Sequence, residues 1–275
     1  MLYLGTSENS RMTMSTLNAK SFIIDLLLAS GNQTLSIKQL VNAAQILQIS
    51  ENNTRVAVTR LCSEKMIESV SRGFYKLSSN AEHWGSIIIH REHALKNKET
   101  WNQHYLAIFT PHLGRTDRTA LSRREKILKH AGFRELETGF FIRPDNLTLN
   151  LEALSKKMTQ QGLDADARWM QITQFDPMTH DKISTLWDTQ KLNQRYEKYS
   201  LKLKQWLAHN QDMQPIDLAR ESFLLGRETI ALMLTDPLLP APFVDTALRT
   251  EFFNAVQQLD QIGQHTWQQL NHDEF

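Results

Sequence analysis

Two serines, Ser36 and Ser50, each stand directly ahead of a run of residues with helical apolar spacing, and only Gln48-Ile49-Ser50 separates the two runs. A serine hydroxyl in that place accepts from an amide that the first helical turn leaves open, so both positions predict helix starts. The second run extends from Ser36 through Leu40, Val41, Ala44 and Leu47. The third extends from Glu51 to about Lys65, with Glu51 in the first turn where a carboxylate favours the positive end of the helix dipole. A first helix is expected over Leu17 to Ala29, with Phe22, Ile23, Leu26 and Leu27 on one face and Gly31 as its stop. Behind the third helix come two β-prone runs, Met66 to Val70 and Phe74 to Leu77, around Ser71-Arg72-Gly73, the pattern of a hairpin. Three helices followed by a hairpin is the order of a winged helix-turn-helix.

The third helix has two different faces. Ala57, Val58, Leu61, Cys62 and the stem of Lys65 fall on an inward stripe. Asn52, Arg55, Val56, Thr59 and Ser63 share an outward stripe flanked by Asn53 and Arg60. Asparagine pairs bidentately with adenine, arginine with guanine, and valine or threonine methyls meet the thymine methyl. Asn52, Asn53, Arg55, Val56, Thr59 and Arg60 are therefore the expected base-reading set, with Arg72 at the hairpin tip and Lys76 on its return strand for phosphates or the minor groove.

From Trp101 the periodicity changes. Strands are expected over Tyr105 to Phe109, Phe140 to Ile142 and Arg168 to Phe175, with helices over Thr119 to His130 and Leu147 to Met158 between them. Strands alternating with helices predict a small α/β layer of ferredoxin-like kind. Three amphipathic stretches follow, Ile183 to Ala208, Ile216 to Leu234 and Val244 to Leu270, the last two parted by Asp236-Pro237 and Pro240-Ala241-Pro242. The expected fold class is α+β and multidomain. The sequence predicts a flexible tail over residues 1–14, a DNA-binding domain over 15–85, a linker helix over 86–98, the ferredoxin-like domain over 99–177 and a helical C-terminal domain over 178–275.

Charge agrees with this division. Residues 1–155 carry 19 lysines and arginines against 14 acids, whereas residues 156–275 carry 12 against 16. A mildly basic first half and an acidic last third suit a DNA module joined to something else. No apolar run reaches the roughly 18 to 20 residues of a membrane span. The opening residues lack the basic start and apolar centre of a secretory signal, and Met12 and Met14 are alternative starts. Cys62 is the only cysteine, so a disulfide framework is excluded and a reducing cytoplasm is expected.

Several residues carry a family resemblance. The run Ile49 to Leu61, then Glu64-Lys65-Met66-Ile67 and Gly73 to Ser78, resembles the start of the phenylacetate-degradation repressors called PaaX-like. In that family an Arg-x-Ala-x-x-Arg-Leu pattern forms the recognition helix, matched by Arg55, Ala57, Arg60 and Leu61. Thr100-Trp101 is similar to the family's Trp-led strand, and Asp236-Pro-Leu-Leu-Pro240 to its C-terminal signature. The turn Ser71-Arg72-Gly73 is shorter than the family's usual basic wing. The resemblance implies a homodimeric repressor on double-stranded operator DNA that lets go when it binds an aryl-CoA thioester such as phenylacetyl-CoA. Arg227 and Arg249 are candidate partners for that effector's phosphates.

The reading is of a regulator, not an enzyme, with no cofactor and no metal. GxGxxG, Walker, HExxH and nucleophile-elbow motifs are missing. A metal-dependent nuclease or an RNA-binding protein built on the ferredoxin-like domain is the alternative. Against the nuclease, the first strand of that domain ends Ile108-Phe109-Thr110-Pro111 without a carboxylate, and Asp117 is expected to start a helix. His90 and His93 stand three apart but lack further ligands at a recognisable spacing.

Overall fold

The computed structural model describes residues 17–30, 33–79 and 100–272. The expected tail over 1–14 and linker helix over 86–98, with His90 and His93, lie outside these residues. The chain divides into two compact units. Among the described residues one holds 17–79 with 202–233 and 254–272, and the other holds 100–201 with 234–253.

The first unit opens with α1 (Ala19–Ala29), β1 (Leu35–Ser36), α2 (Ile37–Ile46), α3 (Glu51–Ser63) and the hairpin of β2 (Ile67–Ser71) and β3 (Phe74–Leu77). Each helix start is fixed by a side chain. Asn18 accepts from the Ser21 amide, so α1 begins at Ala19 and not at Leu17. Ser36 accepts from the Gln39 amide at 3.1 Å while Gln39 returns a bond to the Ser36 amide at 2.8 Å, a reciprocal capping box. Ser50 accepts from the Asn53 amide at 3.3 Å. The turn after α2 needs Gln48 in the left-handed region, φ 59°. Helix α3 stops at Ser63, two residues earlier than expected, and Lys65 turns left-handed at φ 57° and stays exposed, so its stem covers no core.

The hairpin is a three-stranded sheet in the order β1-β3-β2, all neighbours antiparallel, and its third strand was not expected from the sequence. Two residues suffice for β1 because it pairs with Tyr75 and Phe74 and the Ile37 amide then donates to the Gly73 carbonyl at 2.8 Å. At the other end, Met66 donates to the Leu61 carbonyl and the Ser78 hydroxyl to the Lys65 carbonyl. The hairpin is thus tied to α2 at its tip and α3 at its base. Phe22, Ile23, Leu27, Leu40, Ala44, Ala57, Leu61, Ile67 and Leu77 make the buried core.

Three helices lie in the second unit, α4 (Arg118–His130), α5 (Leu151–Gln160) and α6 (Pro177–Ser184), and residues 202–233 and 254–272 fall mostly in α7 (Thr189–His209), α8 (Pro215–Leu234) and α9 (Thr246–His272), whose first-unit portions extend that core. Phe223 sits 5.1 Å from Phe22 and 6.1 Å from Trp267, ring centre to ring centre. Arg220 donates through Nε to the Ile46 carbonyl at 2.7 Å, closing the open C-terminal end of α2. Deeper, Arg227 Nε lies 3.0 Å from Asp25 Oδ2, a charge contact without hydrogen-bond alignment, and both residues are buried. Burial pushes the Asp25 carboxyl up to about 7 against the opposing pull of Arg227.

The second unit contains β4 (Tyr105–Phe109), α4 (Arg118–His130), β5 (Arg134–Glu137), β6 (Phe140–Pro144), α5 (Leu151–Gln160), β7 (Arg168–Ile172) and α6 (Pro177–Ser184). The sheet order is β5-β6-β4-β7, with every neighbouring pair antiparallel. Leu106, Ile108 and Phe141 on one face of the sheet share a cluster with Leu128 of α4 and with Leu154 and Met158 of α5. Strand β5 was missed in the sequence because Arg134-Glu-Leu-Glu137 offers one apolar residue, and as an edge strand it buries only Leu136. The helix expected over Ile183 to Ala208 is broken between Ser184 and Thr189, where Trp187 is buried and donates to the Gly132 carbonyl at 3.0 Å.

The Asp236-Pro-Leu-Leu-Pro240 tract is held by buried polar groups. Asp236 accepts from the Tyr196 hydroxyl and from the Leu238 amide, and Arg249 Nη1 donates to the Leu239 carbonyl, 4.0 Å from Asp236. Asn146 donates to the Leu238 carbonyl at 2.6 Å and accepts from fully buried Arg143 at 3.1 Å. Gly132, at φ +84°, leaves no room for a side chain, since a Cβ there would stand 2.7 Å from the Pro237 carbonyl oxygen.

The Asp25–Arg227 contact predicts a pH-dependent cost. Asp25 has a folded pKa above its unfolded value, so its contribution to stability is complete at low pH and is lost as pH rises through about 7. Arg227→Ala removes the group that opposes this loss. It is expected to cost about 3 to 5 kcal/mol at pH 8, where Asp25 is ionised, and clearly less at pH 5.5. Urea unfolding at the two pH values checks this; an equal cost at both contradicts it.

Candidate nucleic-acid interface

Helix α3 has a narrow inward stripe and a wide outward one. Thr54, Ala57, Val58 and Leu61 are buried, and Cys62 is half-buried at the margin with its thiol pushed up by burial. Thr54 has no place in the stripe read from the sequence; its hydroxyl donates to the Ser50 carbonyl at 3.0 Å, which lets a polar residue sit inside. Asn52, Asn53, Arg55, Val56, Thr59 and Arg60 are all exposed. The structure therefore gathers the six expected base-reading residues on one solvent-facing surface of a single helix.

Local bonds hold this surface without consuming it. Arg55 meets Glu51 one turn earlier at 2.8 Å through both Nε and Nη2, and both side chains are about half exposed. An exposed i,i+4 pair of this kind contributes about 0.3–0.5 kcal/mol, so a stronger acceptor displaces it at little cost. The Thr59 hydroxyl donates back to the Arg55 carbonyl at 3.1 Å. Val56 is 42% exposed, between Arg55 and Arg60 on the helix surface.

On the hairpin, Arg72 is exposed at a two-residue turn in which Gly73 supplies φ +80°. Lys76 is half-buried and pairs at 3.1 Å with Glu68, its cross-strand partner in register. Two exposed apolar residues flank the tip, Val70 at the irregularity between Ser69 and Ser71 and Phe74 opposite Ser71. Strand alternation sends one of Phe74 and Tyr75 inward, and it is Tyr75 that packs on the core while Phe74 stays in solvent.

The two arginines expected to meet an effector face inward. Arg227 sits against Asp25 and Arg249 beside Asp236 and the Leu239 carbonyl, and both are buried. A depression of about 610 Å³ in the second unit is lined by Gln174, Phe175, Asp176, Pro177, His180 and Asp181. Its two carboxylates repel phosphate. Asp117 caps α4 through the Thr119 and Ala120 amides, as its position in the sequence predicts. At the end of β4, Thr110 is buried and bonds the Gly139 carbonyl through both amide and hydroxyl. Among the described residues no three of His, Cys, Asp and Glu are grouped to hold a metal, and no helix is long and apolar enough to cross a membrane.

Comparison with known proteins places the C-terminal helices first. Residues 187–269, which contain the Asp236-Pro-Leu-Leu-Pro240 tract, match the model of the PaaX-like protein C-terminal domain. The resemblance to the PaaX-like family therefore holds, and this domain carries it. In fold the chain is similar to the uncharacterized protein Rv0674 from Mycobacterium tuberculosis, with a TM-score of 0.60 and 21% identity over 91% of this chain and 99% of that one. No curated protein matches the chain.

The two faces of α3 predict opposite responses to truncation. Leu61→Ala is expected to cost about 2 to 5 kcal/mol, while Asn53→Ala and Arg60→Ala stay within about 0.5 kcal/mol. Denaturant melts of the three variants check the assignment, and a loss above about 1.5 kcal/mol at Arg60 refutes it.

Proposed function

We propose that this protein is a PaaX-like transcriptional regulator, acting as a repressor, that binds double-stranded operator DNA through a winged helix-turn-helix at residues 17–79. Helix α3 lies in the major groove, with Asn52 and Arg55 hydrogen-bonding base edges and Val56 and Thr59 against thymine methyls. Asn53 and Arg60 flank the groove, and Arg72 with Lys76 on the hairpin meets the backbone. The observation that carries the reading is the exposed stripe of Asn52, Arg55, Val56 and Thr59, on a helix whose opposite stripe is locked into a core. The order of α1, α2, α3 and hairpin is that of a winged helix, and the split β5-β6-β4-β7 order supports a ferredoxin-like second module. The C-terminal match supports the regulator family.

A homodimer in the cytoplasm on a two-fold operator, released by an aryl-CoA thioester, completes the reading by resemblance. Arg227 and Arg249 are weak effector contacts within it, because an incoming phosphate has to displace Asp25 or the Leu239 carbonyl to reach them.

Asn52→Ala and Arg55→Ala are each expected to weaken binding to the specific site by about 1 to 3 kcal/mol, with little change on scrambled DNA. Arg72→Ala is expected to weaken both alike. Anisotropy titrations with the protein's own upstream DNA measure this, and unchanged discrimination in the α3 variants defeats the recognition-helix assignment. Titration of a panel of acyl-CoA thioesters into the complex tests the effector: an aryl-CoA releases the DNA, and release by none removes that part of the reading.

A further inference from the structure

Helix α4 presents to solvent a basic face that the folding of its unit does not require. Arg118, Ser122, Lys126 and Lys129 lie on one side of the helix, with Arg123 and His130 at its margin, and all are exposed. The inward side is made by Arg124 and Leu128. Arg124 is consumed there, donating to Asp164 at 2.8 Å and to the Gly114 carbonyl at 3.3 Å. The one acid on the outer side, Glu125, is engaged by Arg115, which also reaches Glu135. Among the described residues no ion pair involves Arg118, Lys129 or, on the neighbouring helix α5, exposed Lys156.

Helix stability accounts for only part of this. Lys129 and His130 in the last turn complement the helix dipole, but Arg118 in the first turn opposes it. Arg118 and Lys129 are eleven positions apart, about three turns, so they point the same way about 16 Å from each other. That distance exceeds the roughly 12 Å width of a DNA major groove, enough to place one cation on each phosphate wall. Helices α4 and α5 both cover one face of the sheet, which gives the three cations a rigid base.

We propose that the outer face of α4, with Lys156 of α5, is a second contact for duplex DNA, binding phosphates outside the base pairs that α3 reads. This rests on the DNA-binding reading above and extends it from one module to two. The contact is sequence-independent, because phosphates carry no base information, and it lengthens the footprint beyond the recognised half-site.

The test uses full-length protein and two duplexes, one limited to the footprinted operator core and one extended by about ten base pairs on each side. Wild type is expected to bind the extended duplex about tenfold more tightly and with a steeper salt dependence, while Arg118→Ala/Lys129→Ala/Lys156→Ala binds the two lengths equally. The triple variant lowers the slope of log K against log salt on the extended duplex by about 2 to 3. Arg118→Gln alone, whose melting temperature is expected to match wild type, shows about a third of that change and guards against unfolding. Equal wild-type affinity for the two lengths, an unchanged slope in the triple variant, or tighter binding to single-stranded RNA than to the extended duplex overturns this contact and leaves the α3 reading in place. Binding to neither duplex overturns both.

Discussion

What faces solvent on α3 is decided by how little of it faces inward. Thr54, Ala57, Val58 and Leu61 are small or medium side chains, so the helix lies close against α1 and α2 and has little freedom to roll. A rotation of one residue's angle places Arg55 or Asn53 among Phe22, Ile23 and Leu40, at the desolvation cost of an unpaired charge or amide. The face of α3 left in solvent is thus specified from behind, by the same contacts that fold the unit. Capping adds to this, since Ser50 sets where the helix starts and therefore which residues come round to the front.

Charge is divided by a similar logic. Three of the arginines buried among the described residues have a carboxylate beside them. Arg124 has Asp164, Arg227 has Asp25, and Arg249 has Asp236 with a main-chain carbonyl. These groups position helices and are poorly placed to capture a ligand. The cations that remain in water, on α3, on the hairpin tip and along α4, are the ones a polyanion can reach at small desolvation cost.

The elements with local signals were legible in the sequence. Ser36, Ser50 and Asp117 mark helix starts by side-chain bonds to nearby amides, and the alternate faces of α3 follow from its period alone, whereas the cap at Asn150 went unread and α5, expected from Leu147, begins only at Leu151. Features that depend on distant partners were not legible. Strand β1 exists only through pairing with β3, β5 is too polar to stand out, and Trp187 interrupts a helical pattern because Gly132 offers it a carbonyl. The exposure of the six α3 residues was legible from their spacing. The inward turn of Arg227 and Arg249 was not, because Asp25 is about two hundred positions away in sequence from its partner and Asp236 looks like a mere helix breaker. Thr54 was missed for the opposite reason: a residue that reads as polar hides its hydroxyl in its own helix.

The burial of Arg227 has a consequence for genetics. A search for altered regulation by random mutagenesis collects every lesion that changes the amount of native protein as well as those that change ligand response. Exchanges at Arg227 or Asp25 break a buried charge contact, so they deplete the cell of native molecules. If the protein is the repressor proposed above, they register as loss of control and not as a protein locked onto its target, which separates the scaffold's arginines from residues that touch an inducer.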